Sequence, residues 1–412
     1  MKTLDRVGLT LAVLAAPMAL TAQTTPKVGG LLQVWYTQMM DSDLRNNSAA
    51  PMGYYNLRNE FKENGFNIRR TELNMSGSVL PEVDYYLMVD PSINTSNTQA
   101  NSNSSYNPTI LQDAWVAYKT GPFQVKLGQF KTLQTYEGNV GSSELLFAER
   151  SQLGRVFGDK RDRGLVASYA LGDKDFGAKV SLGVFNGMSD LASGKAGDTN
   201  AAKDFVGRLD FNVGETQKFG VYTLQGSTDQ ADKGGLIART FAGSNAPSAA
   251  DVLDNKDKTT NLGAYYAYQD SHWHASAEVI TGYLGRRFAS VTTTAGGGSA
   301  LRDGLDQKFL GYYLTGGYKF DAHQFLIRYD FLNYNSNDNG NTASYNVGGA
   351  DYTPKYREIT FGYTYALNPK VLKQANVKVN YILRSKNFLK PNAGQTSEQG
   401  GDTVMAAFQV AF

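Results

Sequence analysis

Charged side chains of both signs crowd one stretch of this sequence, and ionic groups placed so closely can attract, hold or repel small ions. A cluster of bases would raise the local concentration of anions, whereas acids among them would cancel part of that field. In an alternative interpretation, the charges pair with one another and hold the segment in place. The candidates are the bases Lys126, Lys131, Arg150, Arg155 and Arg163, with Glu149 and Asp113 as pairing carboxylates.

Two other residue patterns could support different chemistry. His272 and His274 stand two residues apart, so on a strand they would share a face and could bind a transition metal if a third ligand came near. Trp273 between them favours an ordinary position at a membrane interface, and we predict no metal. Catalysis would need a nucleophile with a base, but the chain has no cysteine, no Gly-x-Ser-x-Gly motif and only one further histidine, His323. We predict neither an enzyme nor a cofactor.

The N-terminus has the pattern of an export signal. A short basic stretch precedes an apolar run at 7–20, which ends near the small residue Ala22. This run is shorter than the roughly 20 residues that a spanning helix needs. We predict a cleaved signal peptide at 1–22 and a single domain at 23–412.

The overall composition excludes several classes of protein. A formal net charge of +2 gives no reason to expect a nucleic-acid partner. The absence of cysteine excludes a disulfide framework. The mean hydropathy of −0.38 does not fit a helical membrane protein, although 25 tyrosines and 21 phenylalanines supply much aromatic surface.

Alternating apolar and polar residues recur from Val28 to the end of the chain, which is the pattern of strands with two different faces. For example, Phe325 and Ile327 alternate with the charged Arg328 on what we predict to be opposite faces. The predicted strands number sixteen, near 29–40, 66–78, 83–91, 110–119, 123–131, 163–171, 176–187, 203–213, 217–226, 259–269, 272–284, 308–319, 322–334, 355–366, 375–386 and 402–412.

The second strand breaks this alternation. Arg69 and Arg70 are adjacent, and neighbouring side chains on a regular strand point to opposite faces. We therefore predict that the two arginines face opposite ways, with one of them at the level of the lipid headgroups.

The connections between the predicted strands alternate between short and long. Turns of two to four residues, such as 120–122 and 270–271, are followed by polar stretches such as 132–162 and 227–258. Short periplasmic turns, long extracellular loops and an even number of strands are typical of bacterial outer-membrane barrels. A soluble sandwich is a weaker alternative, because it does not explain the asymmetry of the connections. A propeller is also weaker, because its sequence would show a blade repeat, and none is present.

We accordingly predict an all-β fold, a transmembrane antiparallel β-barrel in the outer membrane. Its apolar face would meet outer-membrane lipids, and its other face would line a lumen too wide for side chains to fill. Passive diffusion of small hydrophilic solutes is the expected function. The long third loop, near 132–162, is expected to fold inward and to carry the constriction, where the charged candidates named above would act.

The C-terminal strand carries a further signal. Residues 404–412 alternate apolar side chains and end on Phe412, which resembles the recognition signal that outer-membrane barrels present to the barrel assembly machinery.

Several short strings lie in the region of the second to sixth predicted strands. They are Phe66–Leu73, Leu111–Val116, Leu127–Lys131, Phe147–Arg150 and Asp162–Gly164. These strings resemble the phosphate-selective porin O and P family. That resemblance implies a sixteen-stranded barrel, a homotrimer, an inward third loop and a preference for small anions, phosphate among them. A dense arginine ladder, which specific members use for phosphate, is not visible, so the permeant solute stays open.

Two alternatives from other classes remain open. The barrel could act as a surface receptor or adhesin whose loops do the binding, since loops rich in Asn and Ser suit that role equally well. An outer-membrane barrel enzyme is less favoured, for the reasons given above.

Overall fold

The computed structural model describes the strands, the short turns and part of the longer connections. The residues described are 24–40, 65–92, 110–187, 202–228, 257–288, 291–293, 299–301, 305–333, 336, 346–347, 350–351, 355–384 and 402–412. The predicted signal peptide at 1–22 lies outside the described residues, as does much of the sequence in the long loops.

Sixteen antiparallel strands form a closed barrel, as predicted, and two further hairpins lie in its connections. The ring runs in chain order, with β12–β13 and β16–β17 left out of it as separate hairpins. The strands are β1 (Lys27–Met39), β2 (Gly65–Leu80), β3 (Val83–Val89), β4 (Leu111–Thr120), β5 (Phe123–Lys131), β6 (Arg161–Gly172), β7 (Phe176–Phe185), β8 (Asp204–Val213), β9 (Gln217–Thr228), β10 (Asp257–Gln269), β11 (Trp273–Phe288), β12 (Val291–Thr293), β13 (Ser299–Leu301), β14 (Leu305–Phe320), β15 (His323–Asn333), β16 (Asn346–Val347), β17 (Ala350–Asp351), β18 (Lys355–Ala366), β19 (Ala375–Arg384) and β20 (Thr403–Ala411).

Among the described residues helix is scarce, and its main pieces lie in the connection between β5 and β6. The helical pieces there are α1 (Tyr136–Asn139), a 3-10 turn (Ser142–Glu144) and α2 (Gln152–Val156). Within the described ranges, the chain forms no helix that is long and apolar enough to cross a membrane.

The two faces of the wall differ as the sequence pattern predicts. Leu182, Leu314 and Phe361 are exposed apolar side chains on the outside. Arg328 and Glu358 alternate with such residues and are buried on the inside. The backbone N–H and C=O groups of the wall pair between neighbouring strands around the ring, which is what a strand-built protein needs in hydrocarbon.

The barrel closes where the last strand meets the first. β20 pairs with β1 from Leu31 opposite Ala411 to Met39 opposite Thr403. The Phe412 ring lies over Gly30, where an added Cβ would come within 2.5 Å of the ring. Glycine at this position therefore lets the C-terminal aromatic side chain cover the seam.

The prediction for the two adjacent arginines is wrong, because β2 contains a bulge. Val34 pairs with Ile68 and Gln33 pairs with Arg70, so Arg69 is an extra residue opposite the bond between them. A bulge of this kind lets two successive side chains point to the same face. Both arginines accordingly point into the barrel.

Candidate functional site

The connection between β5 and β6 leaves the wall and returns to it at one place. Lys131 and Arg161 are register partners at the ends of the two strands, and the N–H of Thr132 donates to the carbonyl of Lys160 at 2.8 Å. We call residues 132–160 the inner segment. Its two ends are therefore clamped together.

Hydroxyl caps and two glycines shape the inner segment locally. Thr135 caps α1 by accepting a hydrogen bond from Gly138 N at 3.0 Å, and Ser151 caps α2 by accepting from Gly154 N at 3.1 Å. Gly138 packs against Gly158, since a Cβ at Gly138 would lie 2.5 Å from the Gly158 Cα. The outgoing and returning chains can pack this closely only because neither glycine has a side chain.

The inner segment reaches across the barrel. β15 and β18 lie eight places round the ring from β5 and β6, which is directly opposite. Gln152 N donates to Asp330 of β15 at 2.9 Å, and Arg155 pairs with Glu358 of β18 at 3.2 Å. These contacts place α2 against the far wall.

Further hydrogen bonds join the inner segment to the walls on either side. Tyr136 N donates to Glu278 of β11 at 2.6 Å, and Ala148 N donates to the side-chain amide oxygen of Asn380 of β19 at 2.8 Å. Gln409 of β20 donates to the carbonyl of Ser143 at 2.9 Å. The segment thus spans the lumen from the β11 side to the β20 side.

Buried ion pairs fix the tip of the segment. Arg328 Nε lies 2.7 Å from Asp330, and its Nη atoms donate to the carbonyls of Glu149 and Arg150 at 3.1 and 3.2 Å. Arg384 lies 3.3 Å from Glu358, the carboxylate that also binds Arg155. We call Arg155, Arg328, Asp330, Glu358 and Arg384 the tip network.

An apolar contact accompanies these ion pairs. The side chains of Leu153, Val156 and Phe157 pack against a buried cluster on the inner wall from β9 to β18. Phe157 stacks on Phe309 with ring centroids 4.6 Å apart. The cluster excludes water from this side of α2. The low local dielectric strengthens the neighbouring ion pairs of the tip network.

Two of the predicted basic residues form ion pairs with Asp159, near the point where the inner segment returns to the wall. Lys131 lies 2.8 Å from Asp159 and Arg150 lies 2.7 Å from it. Lys131 also donates to the carbonyls of Gly138 and Val140 at 2.8 and 3.2 Å. These bases are therefore engaged in holding the segment.

The other predicted residues are dispersed. Glu149 pairs with Arg69 at 2.9 Å, and Asp113 pairs with Arg161 at 3.2 Å. Five of the seven predicted residues thus divide among three places, Asp159, the tip network and the β2–β4 wall, instead of forming one group.

Lys126 and Arg163 join none of these clusters. Lys126 Nζ lies over the rings of Trp115 and Phe130, at 5.3 and 4.1 Å from their centroids. Arg163 shares the face of β6 that carries the exposed Leu165, and its Nε lies 3.4 Å from the Gln129 amide oxygen. The alternation along β6 therefore separates Arg163 from the lumen-facing residues.

Electrostatics keep two acids of the segment ionised, the buried Glu149 and the half-buried Asp159. Burial raises the pKa of Glu149, but Arg69, Arg70 and Arg155 outweigh that effect and lower the pKa to about 2. Burial likewise opposes ionisation of Asp159, yet Arg150, Lys131 and Arg161 hold its pKa well below the usual range. Both acids carry their charge near neutral pH.

His272 and His274 lie in different surroundings, the first exposed and the second buried. His272 lies in the turn before β11 and stacks against Tyr318, with ring centroids 6.2 Å apart. His274 is buried and its Nε2 lies 3.2 Å from the Ser276 hydroxyl. The expectation of a shared face is wrong, because His272 precedes the strand. In the part of the chain that is described, no three His, Asp or Glu side chains are grouped to hold a metal ion.

A basic cavity of about 600 Å³ lies beneath the inner segment, on the side of the short turns. We call it the basic vestibule. Glu144 is the acid among its lining residues, and within the described ranges Lys218, Lys319 and Lys370 make no salt bridge. Its bases are Arg208, Lys218, Lys319, Lys370 and Lys373.

Sequence reasoning missed the vestibule, although a signal was present. Lys218 and Lys319 each stand beside a short turn, at positions whose parity places them on the inner face of β9 and β14. Lys370 lies in the connection between β18 and β19. Bases next to the short turns meet at one end of a closed barrel, even though they are far apart in the chain.

Comparisons with known proteins agree with this architecture. The family described as phosphate-selective porin O and P matches residues 48–389. An uncharacterized protein of Caulobacter vibrioides is 25% identical over 259 residues, which is 56% of this chain and 50% of that protein. The chain thus spans about half the length of this curated relative.

Solved structures share the fold at low identity. The outer-membrane channel DcaP of Acinetobacter baumannii has a TM-score of 0.54 and 11% identity, over 93% of this chain and 96% of that one. An anion-selective porin from Comamonas acidovorans has a TM-score of 0.51 and 12% identity, over 94% and 99%. At this identity, the likeness supports the fold alone.

Proposed function

Because the chain belongs to the phosphate-selective porin O and P family, we propose that it is a passive channel of the bacterial outer membrane for small hydrophilic solutes, with small anions favoured. The basic vestibule is the observation that carries the anion preference. Three lysines without salt bridges in the described structure, at one mouth of a lumen, raise the local concentration of anions.

The inner segment supplies the constriction in this proposal. It crosses the lumen to β15 and β18, and solutes pass beside it. On the wall from which it starts, Lys126 of β5 faces inward, and Lys179 is exposed on the same face two strands away. Lys131, Arg150 and Arg155 act by holding the segment in place.

Ion selectivity in planar bilayers tests the anion preference. The refolded protein is placed in a KCl gradient, and the reversal potential is compared with that of the triple variant Lys218→Glu, Lys319→Glu and Lys370→Glu. We expect an anion-favouring potential in the unchanged protein and a shift towards cations in the variant. Lys174→Glu is the control, because it makes the same kind of change in a short turn that does not line the cavity.

Phosphate added at fixed KCl then tests the narrower family property. A block of KCl current at low phosphate concentration would support a phosphate preference, whereas unblocked current would indicate a general anion pore. A correctly folded barrel that never conducts would overturn the channel proposal in favour of a receptor or adhesin.

We also propose three features that follow from the resemblance and the N-terminal pattern. Residues 1–22 are removed on export, the barrel is a homotrimer, and the strand ending at Phe412 is the signal read by the barrel assembly machinery. N-terminal sequencing of the mature protein, mass measurement of the native complex and deletion of Phe412 test these features separately.

A further inference from the structure

Cations occupy one end of the outward face of the barrel between β10 and β18. Lys258, Lys308, Lys355 and Arg357 are exposed there, and each shares the face of its strand with exposed apolar residues such as Leu262, Leu310 and Phe361. Among the side chains described on these five strands of the ring, no Asp or Glu faces outward. The outward charges that the structure describes on this wall therefore have one sign.

The cations also share one level of the barrel. β10, β14 and β18 run in the same direction, and each follows a long connection. The four bases lie near the starts of these strands, which is the extracellular end in an outer-membrane barrel. They therefore sit at the height of the outer-leaflet headgroups.

Register brings three of the bases together on β14, β15 and β18. Leu310, Asn333 and Lys355 form one cross-strand row. Arg357 lies two residues further along β18, and Lys308 two residues outside the row on β14. Strand spacing of about 4.8 Å and a rise of about 3.4 Å per residue bring all three long side chains within reach of one headgroup.

Aromatic rings border the bases on the side towards the membrane. Tyr312 and Phe331 have ring centroids 5.1 Å apart, and the Arg357 guanidinium lies 5.9 Å from the centre of Phe331. Tyr329 lies beside Tyr312, at 6.1 Å. Aromatic side chains of this kind mark the boundary between acyl chains and headgroups, so the bases stand where lipid phosphates lie.

We propose that Lys308, Lys355 and Arg357 form a site for the phosphate group of an outer-leaflet lipid. The cations offer several N–H donors to phosphate oxygens, and the neighbouring rings offer apolar surface to the acyl chains of the same molecule. A lipid suits the position better than free phosphate because the patch faces the membrane, on the opposite side of the wall from the lumen.

Binding of a diphosphorylated glucosamine lipid, lipid A, tests the proposal. The refolded barrel is equilibrated with lipid A in detergent micelles, and bound lipid is counted by native mass spectrometry. We expect the triple variant Lys308→Gln, Lys355→Gln and Arg357→Gln to bind it roughly tenfold more weakly or worse. Lys174→Gln, in a short turn at the opposite end of the barrel, should bind as the unchanged protein does.

Two further probes identify the ligand group and its source. Dephosphorylated lipid A should bind the unchanged protein no better than the triple variant binds lipid A. Inorganic phosphate at millimolar concentration should leave bound lipid in place; displacement by it would overturn the lipid assignment. Equal lipid retention by the unchanged protein and the triple variant would overturn the site itself.

The outcome is independent of the channel proposal. If the triple variant does not refold, Arg357→Gln alone should weaken lipid binding several-fold, and unchanged binding in that variant would count against the site. Bilayer conductance of the same samples reports on the lumen, which the three substitutions do not touch. Loss of lipid binding with normal conductance is therefore the expected combination.

Discussion

The tip network and the basic vestibule use the same residue types inside the same lumen, with opposite consequences. In the tip network, Arg155, Arg328 and Arg384 are buried against Asp330 and Glu358, so their charges are neutralised locally. In the vestibule, exposed lysines lie in a cavity with little acid to offset them. On the proposed function, the comparison teaches that a lumen-facing base builds the constriction when it is buried and paired, and acts on solutes when it is left without an acid.

Removing the shared acid of the tip network should have the largest effect. Glu358→Ala leaves Arg155 and Arg384 without the carboxylate that each now binds, and breaking a buried pair costs about 3–5 kcal/mol. We expect the inner segment to detach, which raises single-channel conductance and lowers the urea midpoint of barrel unfolding.

Asp84→Ala is the control for that experiment, because it breaks an ion pair to the exposed Lys119. A surface pair contributes about 0–1 kcal/mol, so conductance should stay near that of the unchanged protein. Equal effects of the two substitutions would contradict the distinction between the tip network and exposed pairs.

A glycine at the base of the inner segment should have the next largest effect. In Gly138→Ala, the added methyl would lie 2.3 Å from Thr135 Oγ1 and 2.5 Å from the Gly158 Cα. Overpacking of this kind costs about 1–3 kcal/mol. We expect faster cleavage of residues 132–160 by added protease. Gly141→Ala provides the control, since an added Cβ there meets its nearest neighbour at 3.8 Å.

Salt should separate the two regions without any mutation. The screening length is about 10 Å at 0.1 M salt and about 3 Å at 1 M, and buried pairs are screened much less than exposed charges. Anion preference from the vestibule should therefore fall between 0.1 and 1 M KCl, while protease resistance of the inner segment stays the same. A loss of both together would mean that the tip network is open to solvent.

Lowering the pH should have the smallest effect on these ion pairs, because they are lost only in strong acid. The pKa of Glu149 is lowered to about 2 in the folded protein, so its ion pair contributes stability above the ordinary pKa of about 4.3 that is lost as pH falls towards 2. Asp159 acts in the same direction. We expect the ion pairs of Glu149 and Asp159 to persist down to about pH 4 and to be lost below about pH 3, where single-channel conductance should rise. No further rise in conductance below about pH 3 would contradict this assignment of the two acids.

Local pattern predicted the wall of the barrel well. Period-two alternation located the sixteen strands and placed Arg328 and Glu358 on the inner face, because the side-chain period of a strand is a local property. The adjacent Arg69 and Arg70 show the limit of that reasoning. A bulge is defined by two strands together, so one strand's pattern does not reveal it.

The sequence by itself determined the strands, their two faces, the alternation of short and long connections and the position of the inner segment. Only the tertiary structure decided what the charges do. Arg155 and Glu358 stand 203 residues apart and meet because the barrel closes and the inner segment crosses it. Lys218, Lys319 and Lys370 converge because the short turns meet at one end of the ring. Pairing and burial are set by such distant neighbours, and they separate a structural base from one that meets solutes.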